Sequence, residues 1–323
     1  MAQRWTLVFG DSMSDIGYMK ASNKIPDFLS GVNKYGRFST SKNWVDYFVE
    51  SRFGVSCFNV ADPEATSVAS QVHRHLEKAF EQVSNNQLYC NYAKGGAIVL
   101  NSWAGVSWSN VATYKALSTL DNQVSLFEEE LNKLTSVHGT HIANEVNVIV
   151  WLGANDLVTV KRNENGMEAA VKHLNEQLRR ITRLLNEKVN GAAVKLMLIN
   201  VPDLTKTIRL EELGQEAKSE LIGLIELWNA GLKSIYERAN EFNLNSCTYI
   251  DLYSNLTPEQ TQQFGFVHQL GEHVMLRKVF DHEAGSPLIY HSIPDSITDT
   301  SPDGLHPSAE MHELIATYIL KNS

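Results

Sequence analysis

The sequence has little cysteine, no long apolar segment and no excess of basic residues. Three cysteines among 323 residues are too few, and odd in number, for a disulfide framework, which favours a reducing compartment. No apolar run reaches the about 18 residues that a transmembrane helix requires. The N-terminal residues also lack the apolar core of a cleavable signal peptide. We therefore expect a protein without a transmembrane segment that is cytoplasmic, or exported without a cleavable signal peptide.

The charge balance excludes one class of partner. Lys and Arg number 28 and Asp and Glu 37, so the formal net charge is −9 at pH 7. A negative field of this kind repels phosphate backbones, and we expect no nucleic-acid partner. Hydrophobic residues make up 43% of the chain and charged residues 20%, which excludes a disordered chain and allows a sizeable core.

Short apolar runs alternate with longer amphipathic patterns along the chain. The runs predict strands at 5–9, 87–91, 146–152, 194–199 and 246–252. The amphipathic patterns predict helices at about 43–52, after Asp121, and at 167–189, 211–240 and 309–320. Because the strands are continuously apolar, we expect a parallel sheet covered by helices on both faces. Without repeats or low-complexity linkers, the chain is expected to form a single α/β/α domain over residues 1–323.

A serine follows the first predicted strand. Ser12 lies in the segment Phe9-Gly10-Asp11-Ser12, where we expect the chain to turn into a helix. This position would present a hydroxyl at the carboxyl edge of the sheet, where open α/β sheets bind ligands. The helix N-terminus would stabilise developing negative charge. The alternative is that Ser12 or Ser14 only caps the helix.

An aspartate and a histidine precede the last predicted helix. Asp303 and His306 lie three residues apart in the segment Ser301-Pro302-Asp303-Gly304-Leu305-His306-Pro307. The carboxylate could orient the imidazole, leaving its other nitrogen to take a proton from a serine. A turn followed by a helix-start proline is the alternative.

Two other strand ends carry groups that can stabilise an oxyanion. Asn155 could donate a side-chain N–H, and the Gly95-Gly96 pair would let a backbone N–H approach closely. An Asx turn and a plain loop are the respective alternatives. Three neighbouring carboxylates are expected to be structural, namely Asp11, Asp15 and Asp156.

Taken together, these four segments resemble the SGNH/GDSL hydrolase family, which carries Ser, Gly, Asn and His in four separate blocks. The resemblance spans Phe9 to His306. Further segments resemble the lipase and acyltransferase branch of glycerophospholipid–cholesterol acyltransferase-like enzymes. These are Gly36-Arg37-Phe38-Ser39, Trp44-Val45-Asp46-Tyr47, Leu120-Asp121-Asn122-Gln123-Val124 and Asn200-Val201-Pro202-Asp203. That branch usually has aromatic residues before its Asp-x-x-His, where this chain has Asp299-Thr300-Ser301-Pro302, so the acyl pocket is expected to differ.

The resemblance implies a three-layer, flavodoxin-like α/β/α fold with about five parallel strands and a cofactor-independent serine esterase. Ser12 would be the nucleophile, His306 the general base and Asp303 the residue that orients His306. The oxyanion would be held by the backbone N–H groups of Ser12 and Gly96 and by the side chain of Asn155, with Gly95 as the alternative to Gly96. We expect no metal, because the histidines at 73, 75, 138, 141, 268 and 273 match no familiar zinc spacing and are expected to be exposed.

The same resemblance implies a lipid ester substrate, phospholipid or lysophospholipid, with transient contact at a membrane surface and acyltransferase activity. A carbohydrate O-acetyl esterase and a non-catalytic binding module on the same fold are the alternatives. Segments 97–120 and 266–300 could form a lid or line the pocket, or simply pack over the sheet edge. The oligomeric state is left open.

Overall fold

Five parallel strands form the central sheet of the structure, a computed structural model that describes residues 3–19, 32–33, 35–54, 58, 72–83, 85–102, 105–106, 118–207, 210, 213–255 and 305–323. The strands are β1 (Arg4–Gly10), β2 (Gln87–Asn91), β3 (Glu145–Trp151), β4 (Ala193–Ile199) and β5 (Ser246–Ile250). The five strand predictions are confirmed to within two residues at each end.

The strand order brings distant parts of the chain to one edge of the sheet. The order is β2-β1-β3-β4-β5, and neighbouring strands are parallel throughout. Val8 of β1 pairs with Asn91 of β2, and Gly10 pairs with Trp151 of β3. The carboxyl ends of these three strands therefore lie side by side. The strand order reverses beside β1, and open α/β sheets leave a ligand-binding crevice at such a point.

Helices cover both faces of the sheet, which confirms the three-layer α/β/α prediction. Within the described ranges they are α1 (Trp44–Phe53), α2 (Leu76–Glu81), α3 (Leu120–His138), α4 (Ala154–Val158), α5 (Glu164–Lys188), α6 (Gln215–Glu237), α7 (Leu252–Asn255) and α8 (Ala309–Lys321). Helices α2, α3, α5 and α6 pack against the face that carries Leu7 and Phe9. Helices α1 and α8 pack against the opposite face, which carries Val8.

The continuous apolar character of the strands follows from this double cover. Successive strand residues point to opposite faces, and Leu7, Val8 and Phe9 are all buried. The predicted stripe on α5 is also buried, and consists of Ala170, Leu174, Leu178, Ile181 and Leu185. The helix predicted at 211–240 is shorter than expected, because α6 ends at Glu237 and a separate 3₁₀ turn follows at Ala239–Phe242.

One local prediction is wrong. The chain does not enter a helix at Ser12, because residues 11–14 form a turn in which the Ser14 N–H donates to the Asp11 carbonyl (3.1 Å). The Asp15 side chain then accepts from the N–H groups of the next residues, and Gly17 adopts a φ of 114° that a continuing helix does not allow. No helix dipole is therefore directed at the Ser12 hydroxyl within residues 11–17.

None of the helices in the described ranges is long and apolar enough to cross a membrane. The prediction of one domain over residues 1–323 stays a prediction.

Candidate active site

Ser12 and His306 meet at the carboxyl edge of the sheet. The Nε2 atom of His306 lies 2.6 Å from the Oγ atom of Ser12, although the two residues are 294 positions apart in sequence. Both side chains are buried. An unprotonated Nε2 accepts a hydrogen bond from the serine hydroxyl at this distance, which is the geometry of a serine and its general base. The structure thus brings together two residues that the sequence singled out separately.

The end of β1 holds Ser12 in place. The Gln123 side chain accepts from the Gly10 N–H (3.1 Å) and donates from Nε2 to the Gly10 carbonyl (2.8 Å). A Cβ atom at Gly10 would lie 2.9 Å from the Ser14 Cβ and 3.1 Å from the Trp151 carbonyl oxygen. Close packing against Ser14 and β3 therefore requires a glycine at position 10. The backbone that precedes the Ser12 turn is held in place by these contacts and by Gln123.

His306 lies just before α8 and contacts one aromatic ring. Ser308 caps α8 by accepting from the Met311 N–H (3.4 Å), and the Ala309 N–H donates to the Thr40 hydroxyl (2.9 Å). The ring of Phe38 lies 4.9 Å from the imidazole, between ring centroids. His312, one turn into α8, is fully buried, and burial together with the nearby His306 lowers its pKa to about 3.

Asn155 lies in the first turn of α4, immediately after β3. Gly153 allows this entry because it has a φ of 119° and because a Cβ there would lie 2.4 Å from the Trp228 ring. The Asn155 Nδ2 donates to the Ala97 carbonyl (3.1 Å), and Oδ1 accepts from the Thr159 hydroxyl (2.9 Å). An amide nitrogen carries two hydrogens, and among the described residues only one of them has an acceptor, so the other could donate to a substrate oxygen.

The two glycines of the loop after β2 differ in what their N–H groups do. The Gly95 N–H donates to the buried Asp15 carboxylate (2.7 Å), so it is already committed. Gly96 has a φ of 74°, and no acceptor for its N–H lies among the residues that the structure describes. The same holds for the Ser12 N–H within those ranges. This geometry favours Gly96 over Gly95 as an oxyanion donor.

Of the three carboxylates expected to be structural, Asp15 and Asp156 link loops of the site, whereas Asp11 bonds within its own turn. Asp15 accepts from the N–H groups of Gly17, Tyr18, Met19 and Gly95, while burial raises its pKa. Asp156 pairs with Arg162 (2.7 Å), accepts from the Val99 N–H (2.7 Å) and is buried, and burial raises its pKa. Burial also raises the pKa of Asp11 to about 7, although it accepts from the Met13 N–H.

Several expectations fall outside the described residues. These are Asp303, the segment 266–300 and most of the segment 97–120. The role of Asp303 therefore stays a prediction, as does a lid in either segment.

The described residues contain no group of three or more metal-ligating side chains. His138 and His141 are exposed as expected. The expectation is wrong for His73 and His75, which are half-buried because their rings bond to the Tyr89 carbonyl (3.0 Å) and Glu130 (2.9 Å) respectively.

The sequence did not reveal that Phe38, Thr159 and Gln123 contact the site. Phe38 and Gln123 lie in segments that the sequence singled out, but their spacing does not indicate which side chains they touch. Thr159 is four residues after Asn155 on α4, a helical spacing that brings two side chains together and could have indicated the contact.

The model of the GDSL-like lipase/acylhydrolase family matches residues 7–319 of the chain. No curated protein matches the chain. Solved structures are similar at low identity. A GDSL-like lipase from Parabacteroides merdae ATCC 43184 is 13% identical, with a TM-score of 0.40 over 99% of this chain and 95% of that one. Phospholipase A1 from Streptomyces albidoflavus NA297 is 13% identical (TM-score 0.39), and an extracellular lipase from Streptomyces rimosus is 11% identical (TM-score 0.38); both comparisons cover 100% of each chain.

Proposed function

Because the chain belongs to the GDSL-like lipase/acylhydrolase family and is a serine ester hydrolase, we propose that Ser12, His306 and Asp303 carry out its reaction through an acyl-enzyme. The observation that carries this assignment is the 2.6 Å distance between Ser12 Oγ and His306 Nε2. Asp303 would orient His306 and stabilise its charged form, in keeping with the position of Asp303 three residues before the histidine.

In the first half of the reaction, Ser12 Oγ attacks the ester carbonyl carbon while His306 Nε2 takes the hydroxyl proton. The carbonyl oxygen becomes an oxyanion, which accepts hydrogen bonds from the N–H groups of Ser12 and Gly96 and from Asn155 Nδ2. The bond to the alcohol then breaks, and His306 gives its proton to the departing oxygen. What remains is an ester of Ser12 with the acyl group.

In the second half, a water molecule attacks the acyl-enzyme and gives a proton to His306. The oxyanion forms in the same set of donors, and the Ser12 oxygen leaves by recovering the proton from His306. An alcohol that replaces water in this step receives the acyl group, which would be acyltransferase activity.

The proposed substrate is a lipid ester, phospholipid or lysophospholipid, bound during transient contact with a membrane surface. Support comes from the lipase family and from the segments that resemble its lipase and acyltransferase branch. We further propose that the protein works in a reducing compartment. The free thiols of Cys90 and Cys247 support a reducing compartment.

Labelling and turnover of one serine variant test the assignment. Wild-type protein should react with a fluorophosphonate probe and hydrolyse p-nitrophenyl esters, whereas Ser12→Ala should do neither and should keep its melting temperature within a few degrees. Ser14→Ala is the matched control, because the hydrogen bond that the described residues give Ser14 Oγ comes from the Trp44 indole N–H (3.1 Å), so labelling should persist. Turnover by Ser12→Ala at the wild-type rate would reject the assignment.

The same assay, run on esters from acetate to palmitate, tests the lipid substrate. We expect activity on octanoate and longer chains. Activity confined to acetate would instead favour a carbohydrate O-acetyl esterase.

A further inference from the structure

The aromatic ring of Phe38 lies between the two halves of the site. On one side it contacts the imidazole of His306, with ring centroids 4.9 Å apart and planes inclined by 37°. On the other side it faces Gly95, where a Cβ atom would lie 2.5 Å from the Phe38 Cε2 and Cζ atoms. Phe38 is 3% exposed, so the ring is enclosed rather than open to solvent. One side chain therefore touches both the proposed base and the loop that carries the proposed oxyanion donor.

The backbone at Phe38 is held by its neighbour Arg37. The Arg37 guanidinium forms a bidentate salt bridge with Asp46 (3.0 and 2.6 Å), and both side chains are fully buried. It also donates to the carbonyls of Tyr35 (2.8 Å) and Ile16 (3.1 Å). A bidentate arginine–carboxylate pair has a fixed geometry. Phe38 is consequently anchored to the start of α1 and to the loop that follows Ser12.

Further bonds fix the backbone on both sides of Phe38. The Asn33 side chain accepts from the Arg37 N–H (3.0 Å), and the Ser39 hydroxyl donates to the Lys42 carbonyl (2.7 Å). The backbone that carries the ring cannot shift without breaking these contacts, of which the Arg37–Asp46 pair is fully buried and costly to lose. An apolar ring can pack against the imidazole without offering a hydrogen bond that would compete with the one between Nε2 and Ser12 Oγ.

We propose that Phe38 is a positioning residue that sets the separation between the His306 imidazole and the glycine loop at 95–96. This inference rests on the proposed roles of Ser12 and His306. It gives a function to the Gly36-Arg37-Phe38-Ser39 segment, which the reaction itself does not use. A ring that only fills space would affect stability alone, whereas a positioning ring affects kcat at constant KM.

The first test compares Phe38→Leu with Phe48→Leu. Phe48 is also 3% exposed but packs on Trp44 in α1 (ring centroids 5.9 Å apart), which makes it a matched control for the loss of a buried ring. We expect Phe38→Leu to lower kcat and the rate of fluorophosphonate labelling by on the order of tenfold or more, since small displacements of reacting groups have effects of that size. KM should change by less than about threefold, as ester binding does not require the ring. Phe48→Leu should lose a similar amount of stability and keep its kcat.

A double-mutant cycle tests the contact with Gly95. Gly95→Ala alone should severely lower kcat, because its Cβ collides with the ring. In a Phe38→Ala background the same substitution should lower kcat far less, because the colliding atoms are gone. Additive effects of the two substitutions would overturn the proposal. If Phe38→Ala does not fold, Phe38→Leu replaces it in the cycle, since leucine also lacks the Cε2 and Cζ atoms.

The outcomes separate this inference from the proposed function. If Ser12→Ala is active, the catalytic assignment fails, and the inference fails with it. If Ser12→Ala is inactive while Phe38→Leu keeps the wild-type kcat, only the inference is overturned. A loss of kcat shared equally by Phe38→Leu and Phe48→Leu would also overturn it.

Discussion

Asn155 and Asn200 follow neighbouring strands of the sheet, and both side chains are buried, yet their hydrogen bonds differ. Asn200, after β4, accepts from the N–H groups of Leu252 and Tyr253 and donates to Tyr249 and Asp251. Its two donors and two acceptor positions are thereby occupied. Asn155, after β3, accepts from Thr159 and donates to Ala97, and its second N–H has no acceptor in the part of the chain that the structure describes.

The difference bears on which of the two strand ends takes part in the proposed reaction. Position at the carboxyl edge is common to both asparagines, so position alone does not identify the site. The proposed difference is the second N–H of Asn155, which has no acceptor among the described residues and would be available to an oxyanion. Asn200 instead fixes the chain at the end of β4 to the first turn of α7.

The largest expected effect comes from Asn155→Ala. Removing one oxyanion donor lowers kcat by about 10²–10³-fold in comparable enzymes, and we expect that range here with little change in KM. Steady-state kinetics on a p-nitrophenyl ester measures it, with Asn200→Ala as the control that should keep kcat within a few-fold. Equal kcat losses in the two variants would remove the distinction between the two strand ends.

The second effect is on stability and concerns Asn200→Ala. This substitution leaves the buried N–H of Leu252 and the part-buried N–H of Tyr253 without their acceptor, so we expect a loss of roughly 3 kcal/mol in the free energy of unfolding. Urea denaturation measures it. Asn155→Ala should lose less than half as much, because Asn155 makes two side-chain bonds within the described residues where Asn200 makes four. A larger loss in Asn155→Ala would mean that Asn155 is mainly structural.

The smallest effect concerns Thr159→Val, which removes the donor to Asn155 Oδ1 while keeping the shape of the side chain. The bond to Ala97 still orients the amide, so we expect only about a fivefold loss in kcat, equivalent to roughly 1 kcal/mol. Thr159→Ser retains a hydroxyl and should retain wild-type kcat. If both variants match the wild type, the Ala97 contact alone orients Asn155.

The sheet was predictable because burial on both faces leaves a clear mark in the sequence. Continuous runs such as Leu7-Val8-Phe9 occur where helices cover each side, and all five strands are present. The turn at Ser12 was not predictable in the same way. It depends on the Asp15 carboxylate, which binds several backbone N–H groups of its own loop and one from Gly95, eighty residues away.

The site was predictable in part. The resemblance to a family, rather than the local pattern, distinguished Asn155 from Asn200, since both simply follow a strand. The contact of Phe38 with His306 could not be predicted, because it depends on how a side chain packs across 268 positions of chain and not on spacing along it. The oxyanion role of Gly96 stays a prediction, although the bond from the Gly95 N–H to Asp15 favours it over Gly95.

Asp11 makes the folded protein a proton acceptor in the mildly acidic range. Burial raises its pKa from 3.8 to about 7, so between these values the native chain keeps a proton that the unfolded chain releases. The contribution of Asp11 to stability is complete below the lower value and is lost as the pH rises through the upper one. Lowering the pH from neutrality therefore increases the contribution of Asp11 to the free energy of unfolding. Unfolding at pH 5 to 6 releases the Asp11 proton into the surrounding solution.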